Sequence, residues 1–283
     1  MSSRNVVDLR VEPVEQALDL VEHGLRVRLD RESVVRKRRS VGARTDRRTW
    51  VRIERRSRDR IDGQGWNGIE SAAVLDGIAK PEWFAGMSWR ETGGDAMWRV
   101  DETDLIAAAP VKFGGRLTVD PKLPDAWWVT LNSSLDALAA HRTTRVATPD
   151  TVTITHDGVT SAIRATFADV VDTSLDEWLP AHADLNWANL TGPECWILDW
   201  EDWGLAPRGL DAATLWGNSL ALPDLADRVR RERHADMETR SGRLMALFFC
   251  SKIVGRYADP SDPLLEPARR ESARLIRELR TAR

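Results

Sequence analysis

Apolar residues recur at helical spacing over 13–22, at Val14, Ala17, Leu18 and Val21. Pro13 suits the first turn and Gly24 falls just past the end, so a short helix is expected there. The pattern then changes period. Arginines alternate with apolar residues over 33–45 and 49–55, as in half-buried strands, and the polar stretch 44–48 between them predicts a hairpin. Gly63, Gly65 and Gly68 lead into a short helix that carries Glu70, and 96–106 followed by 107–111 reads as further strand. A stretch rich in Gly, Pro and Asp, 112–124, is the expected boundary. Beyond it the spacing is mostly helical, over 125–141, 161–171, 212–222, 225–233, 243–258 and 266–281. Short strand-like pieces, NLT and CWILDW, interrupt it. A strand-rich front and a helical back predict an α+β chain of two lobes, residues 1–111 and 112–283.

Composition adds limits to this picture. With 283 residues, 42% hydrophobic and 30% charged, the chain is of ordinary globular type. No run approaches the roughly 18 apolar residues of a spanning helix, and MSSRNVVDLRVEPVEQ has no apolar signal core. A cytoplasmic protein without a membrane partner is therefore expected. Cys195 and Cys250 have no partners at metal-ligand spacing. The net charge of −3 hides a basic stretch over 26–60, where cations outnumber acids about three to one. Such a stretch suits a polyanion or the solvated side of strands. No nucleic-acid-binding motif accompanies it, so no nucleic-acid partner is expected.

The segment HADLNWANLTGPECWILDWEDWGLAPRGLD, 182–211, carries the candidate chemistry. Asp184 is followed by Asn189 and then Asp199. Phosphoryl transfer needs a carboxylate to meet the proton of an attacking hydroxyl, and hard oxygen ligands to hold Mg²⁺ against the phosphates. Asp184 lies on a loop, as the small and polar residues around it indicate. Asn189 opens one arm of an expected hairpin and Asp199 closes the other, so both oxygens can face one metal. A cap or turn role is the commoner reading for any single residue of this kind. The combined spacing makes it the less economical reading for the set.

These residues resemble the aminoglycoside phosphotransferase-like branch of the protein-kinase-like fold. HADLNWAN stands for its H-G-D-x-x-x-x-N element, with Ala183 in place of Gly, and LDWED for its I-D-[WFY]-[ED] element. The resemblance implies Asp184 as catalytic base, Asn189 and Asp199 as metal ligands, and His182 as a structural member of the loop. It implies that Asp211 ties the loop to the following helix. Glu201 is placed either near metal or acceptor, or as a solvent-facing loop acid. The implied activity is transfer of the γ-phosphate of ATP or GTP, with Mg²⁺, to a hydroxyl of an antibiotic or metabolite. The alternative is a kinase-like nucleotide-binding module with little or no turnover. The implied partners are a nucleoside triphosphate and a hydroxylated small molecule, with a monomer as the default.

The front lobe matches less closely. The resemblance calls for a phosphate-covering loop and a strand Lys paired with a helix Glu. SVGARTDR offers only Gly42 for the loop and reads equally as a plain hairpin turn. Arg52 stands where the Lys is expected, with Glu70 as its partner, and Lys37 is the rival phosphate contact. The chain has 13 Trp against one Tyr. Trp187, Trp200 and Trp203 lie nearest the motif and are read mainly as packing residues, with an acceptor-pocket lining as the alternative. The carboxylates Asp224, Asp227, Glu232, Asp236 and Glu238 alternate with arginines, so they do not select a cationic acceptor.

Overall fold

The computed structural model describes residues 8–61, 63–113 and 117–281. Positions 114–116 of the expected boundary and residues 1–7 of the N-terminal segment lie outside the described residues. Chain contacts divide the protein into two compact units, Met1–Val74 with Pro81–Ala107, and Leu75–Lys80 with Ala108–Arg283.

The first unit contains α1 (Glu15–Leu25), β1 (Val35–Arg36), β2 (Ser40–Arg44), β3 (Thr49–Ser57), α2 (Gly68–Ser71), β4 (Trp83–Arg90) and β5 (Ala96–Asp104). Its antiparallel sheet has the order β1-β2-β3-β5-β4. Period-two alternation gives the sheet two different faces. Val41, Ala43, Val51, Ile53, Trp98 and Val100 are buried with Ala17, Leu18 and Val21 of α1 in one apolar core. The expected strand 33–45 is broken into β1 and β2 by a turn at Lys37, Arg38 and Arg39, closed by Lys37 N–H donating to the Ser40 carbonyl at 2.8 Å. Gly24 lies inside α1 rather than beyond it. A Cβ there would stand 2.2 Å from Met87 Sδ, so the glycine admits the β4 side chain. Strand β4 was not expected, although Trp83, Ala85, Met87 and Trp89 alternate with its exposed positions.

The opposite face of this sheet is charged. Gly42 pairs with Arg52, Arg52 with Asp101 and Asp101 with Gly86 across four strands. Arg99 Nε and Nη2 donate to Asp101 at 2.8 and 2.7 Å, and Arg56 donates twice to Glu54 at 2.7 and 3.0 Å. Gly42 is buried inside β2, where the Trp50 ring covers it. A Cβ at Gly42 would stand 2.1 Å from Trp50 Cζ2. The expectation of Gly42 in a phosphate-cradling loop is corrected accordingly: its missing side chain makes room for an indole.

The second unit contains β6 (Ala109–Pro110), α3 (Asp125–Ala140), α4 (His156–Phe167), β7 (Trp178–Ala181), β8 (Thr191–Gly192), β9 (Gly204–Pro207), α5 (Leu210–Gly217), α6 (Pro223–Glu232), α7 (His234–Met237), α8 (Arg240–Val254) and α9 (Leu265–Thr281). The α+β organisation is therefore as expected, with strands concentrated in the first unit and helices in the second. Helix α4 begins five residues before the expected 161 because the Thr155 side chain caps it, accepting from Gly158 N–H at 3.0 Å. Helix α8 runs through the core, burying Leu244, Met245, Ala246, Leu247 and Cys250. Among the described residues no helix is long and apolar enough to cross a membrane.

Gly42→Ala should destabilise the protein by about 1–3 kcal/mol, the usual cost of overpacking. A urea midpoint unchanged from wild type would show that the Trp50 ring swings aside freely and that no glycine is required.

Candidate active site

Chain geometry in the second unit carries the motif from β7 into the loop that begins at His182. Strand β7 pairs antiparallel with β9, Ala181 opposite Gly204. The chain then turns sharply, with Ala183 in the left-handed region at φ 72°. A non-glycine residue there carries strain on the order of 1–2 kcal/mol and needs its surroundings to hold it. Asp211 does this. Its Oδ2 accepts from His182 N–H at 2.7 Å and its Oδ1 from Ala183 N–H at 2.8 Å.

Two glycines put Asp211 in place. Gly209 precedes α5 with φ 88°, and a Cβ on it would stand 2.6 Å from Gly242 Cα. The start of α5 thus lies directly on α8, and Asp211 falls in the first turn of α5. Asp211 is buried, and burial raises its carboxyl above the usual range while the two backbone donors work in the opposite direction.

His182 is fully buried and holds the other side of the loop. Its Nδ1 is 3.3 Å from Asp184 N–H and its Nε2 is 2.8 Å from the Leu198 carbonyl. The tautomer protonated on Nε2 satisfies both bonds. Trp200 packs edge-on against the imidazole, with ring centroids 4.8 Å apart.

Asp184 is half-buried and oriented by two amides. Asn186 Nδ2 donates to Oδ1 and Asn189 Nδ2 to Oδ2, each at 2.8 Å. Burial raises the Asp184 carboxyl above the ordinary range. The nearby Asp199 carboxylate raises it further, and the asparagine donors oppose the shift.

Asn189 and Asp199 are connected through backbone. Leu198 N–H donates to the Asn189 carbonyl at 2.8 Å, and Leu190 bridges Ile197 across the same antiparallel pair. Asp199 follows with φ 64°, and its residue is exposed. Asn189 directs Nδ2 to Asp184, which leaves Oδ1 as the acceptor end of the amide. An amide oxygen and a carboxylate are donors of the hard type that Mg²⁺ takes, its other positions being filled by water and phosphate. These donor types fit a hard divalent cation. Among the described residues no group of three or more His, Cys, Asp or Glu is arranged to hold a metal by itself.

The two carboxylates after Asp199 are distinct. Glu201 is half-buried, and its main-chain carbonyl accepts from Arg145 Nη2 at 3.3 Å. Asp202 Oδ1 accepts from Thr148 Oγ1 at 2.5 Å. Burial raises the Asp202 carboxyl, and the charges of Asp184 and Asp199 add to the rise. Trp187, Trp200 and Trp203 are buried, and Trp187 stacks with Trp127 at 6.0 Å, so these indoles pack the interior.

The first unit holds Arg52, Glu70 and Gly42. Glu70 pairs with Arg99, Nη2 to Oε2 at 3.1 Å, and not with Arg52 as expected. Arg52 lies 4.0 Å from Glu54. Arg99 is two residues from Asp101 on β5, so a β5 side chain occupies the ion pair expected of β3. Sequence reading missed Arg99, Asn186, Arg145 and Thr148. Asn186 alone had a local signal, as the second amide in DLNWAN.

No protein-family model matches the sequence, and no curated protein matches it. Solved structures do match, among them small-molecule kinases. The amicoumacin kinase hAmiN, solved with AMP-PNP and Ca²⁺, is 10% identical, covering 94% of this chain and 93% of that one with a TM-score of 0.53. Aminoglycoside phosphotransferase APH(4)-Ia is 10% identical over 96% of this chain and all of its own (100%), TM-score 0.53. Choline kinase LicA from Streptococcus pneumoniae is 11% identical over 93% and 98%, TM-score 0.53. At these identities the likeness is one of fold, and the chain has the kinase-like fold of these phosphotransferases.

Removing the Asp211 carboxylate should release the loop. Asp211→Ala leaves two buried amides without an acceptor and should cost about 2–5 kcal/mol. Hydrogen exchange should show faster exchange of the His182 and Ala183 amides specifically. Unchanged protection of both amides would refute the tether.

Proposed function

We propose that the protein is a small-molecule kinase that transfers the γ-phosphate of ATP or GTP to a hydroxyl group of an antibiotic or metabolite. The observation that carries this reading is the Asp184–Asn189 pair. One amide fixes the carboxylate through Nδ2 and keeps Oδ1 for another partner. The Asp199 backbone is tied to the same residue through Leu198. The kinase-like fold supports the reading, as does the nucleotide analogue held by hAmiN.

In this reading Asp184 accepts the proton of the acceptor hydroxyl. The hydroxyl oxygen attacks the γ-phosphorus in line, and the bond to the bridging β–γ oxygen breaks to release the nucleoside diphosphate. The raised carboxyl of Asp184 suits a proton acceptor better than an ordinary aspartate would. Asn189 Oδ1 and the Asp199 carboxylate would hold Mg²⁺, which when bound supplies positive charge against the phosphates. His182 and Asp211 keep the loop in place. Arg52 is the candidate nucleotide-phosphate contact in the first unit, with Lys37 as its rival.

One observation favours a second reading, a kinase-like nucleotide-binding module with weak turnover. Glu70 is committed to Arg99, so the strand-to-helix pair is displaced by one strand. Turnover separates the two readings. Nucleotide consumption screened over hydroxylated antibiotics and metabolites should find an acceptor. Asp184→Ala should lower its phosphorylation by about 10²–10⁴-fold, and Asp199→Ala should abolish magnesium-dependent nucleotide binding. A full rate in Asp184→Ala would remove it as the base, and unchanged binding in Asp199→Ala would remove it as a metal ligand.

A further inference from the structure

The Asp199 turn has a second support that the motif does not contain. The chain between α3 and α4 runs alongside β9, with Leu205 N–H donating to the Arg145 carbonyl at 2.8 Å and Ala147 N–H to the Leu205 carbonyl at 3.0 Å. Val146 forms a parallel bridge with Leu205. This approach depends on Gly204, where a Cβ would meet Ala147 N and Val146 C at 2.6 Å.

From this position the segment takes three successive carbonyls of the turn. Arg145 Nη2 donates to the Glu201 carbonyl at 3.3 Å and Nε to the Trp203 carbonyl at 3.2 Å. Between them, Thr148 N–H donates to the Asp202 carbonyl at 3.0 Å, and Thr148 Oγ1 binds the Asp202 carboxylate. The Arg145 guanidinium lies 5.0 Å from the centroid of the buried Trp203 ring. On the other side of Asp199, Leu198 is tied to Asn189 and His182, and Trp200 Nε1 donates to the Ile197 carbonyl at 2.8 Å. Asp199 thus stands between two fixed flanks.

We propose that Arg145 and Thr148 are positioning residues for the metal-nucleotide site, setting where the Asp199 carboxylate stands relative to Asn189. The proposal rests on the kinase reading above. Magnesium demands near-ideal octahedral geometry at about 2.0–2.1 Å, so a small displacement of one carboxylate weakens the site. A planar guanidinium can take two carbonyls while stacking on an indole, which a lysine ammonium cannot do. Burial works against the Arg145 charge, and the guanidinium is nonetheless placed here.

The test is Mn²⁺ binding in the presence of AMP-PNP, followed by the electron paramagnetic resonance signal of free Mn²⁺, alongside thermal unfolding of the metal-free protein. Arg145→Lys and Thr148→Val should each weaken Mn²⁺ binding by about tenfold or more, the usual scale for residues that orient a metal ligand. Thr148→Ser, which keeps the hydroxyl, should stay close to wild type. A purely structural role would lower the unfolding temperature and leave the Mn²⁺ affinity of the folded protein unchanged. Affinities within twofold of wild type in both Arg145→Lys and Thr148→Val would overturn the proposal and leave the kinase reading standing. Wild type that binds no Mn²⁺ with AMP-PNP, or binds it as Asp199→Ala does, would overturn both.

Discussion

The second unit's candidate chemistry depends on one buried carboxylate. Asp211 accepts two consecutive backbone amides, and those bonds hold Ala183 in a conformation that a non-glycine residue does not adopt unaided. The consequences run in both directions along the chain. Upstream of Asp211, the contact of Gly209 with Gly242 fixes the start of α5 on α8. At the loop, the held turn aims His182 at Leu198 and presents Asp184 to Asn186 and Asn189. A loop built this way is well placed because the amides of His182 and Ala183, the His182 ring and the Asp184 carboxylate all have defined partners.

The same arrangement gathers negative charge. Asp184, Asp199 and Asp202 influence one another, and burial adds to the cost of ionising Asp184 and Asp202. Asparagine donors relieve Asp184 and a threonine hydroxyl relieves Asp202. Divalent metal would relieve the group as a whole, which is why the donor set and the electrostatics favour the same occupant. The acids of the C-terminal helices behave differently. Glu232 pairs with Arg228, Asp236 with Arg208 and Arg233, and Glu238 with Arg243. Those carboxylates serve helix packing, so they provide no separate argument for a cationic acceptor.

Local pattern decided what could be read from the sequence. The helix over 125–141 was legible because its apolar period is regular, and α3 spans Asp125–Ala140. The motif's candidate residues could be picked out because they lie within 30 positions, in one continuous loop and hairpin. Arg145 was not legible, since its carbonyl partners are 56 and 58 residues away and main-chain acceptors leave no trace in residue type. Strands β7 and β9 are four residues each, too short for a period to emerge, and they exist through pairing with each other. Gly42 misled for a related reason. A glycine in a sparse sequence suggests a flexible loop, whereas here the cause is a tryptophan on the neighbouring strand.

Charge balance in the first unit follows a similar logic. On the charged face of its sheet, Glu54 lies beside Arg52 and Arg56, while Asp101 and Glu70 both engage Arg99. Arg52, Arg56 and Arg99 thus meet carboxylates at the centre of this face, whereas Arg44 and Arg90, on the same face by register, form no salt bridge among the described residues. Lys37, Arg38 and Arg39 are exposed at the β1–β2 turn, and none of them forms a salt bridge among the described residues. Attraction for an anion scales with uncompensated charge rather than with the number of cations. The excess positive charge that the sequence showed over 26–60 is therefore expressed at turns and outer strand positions, and the charged face of the sheet is organised by paired charges instead.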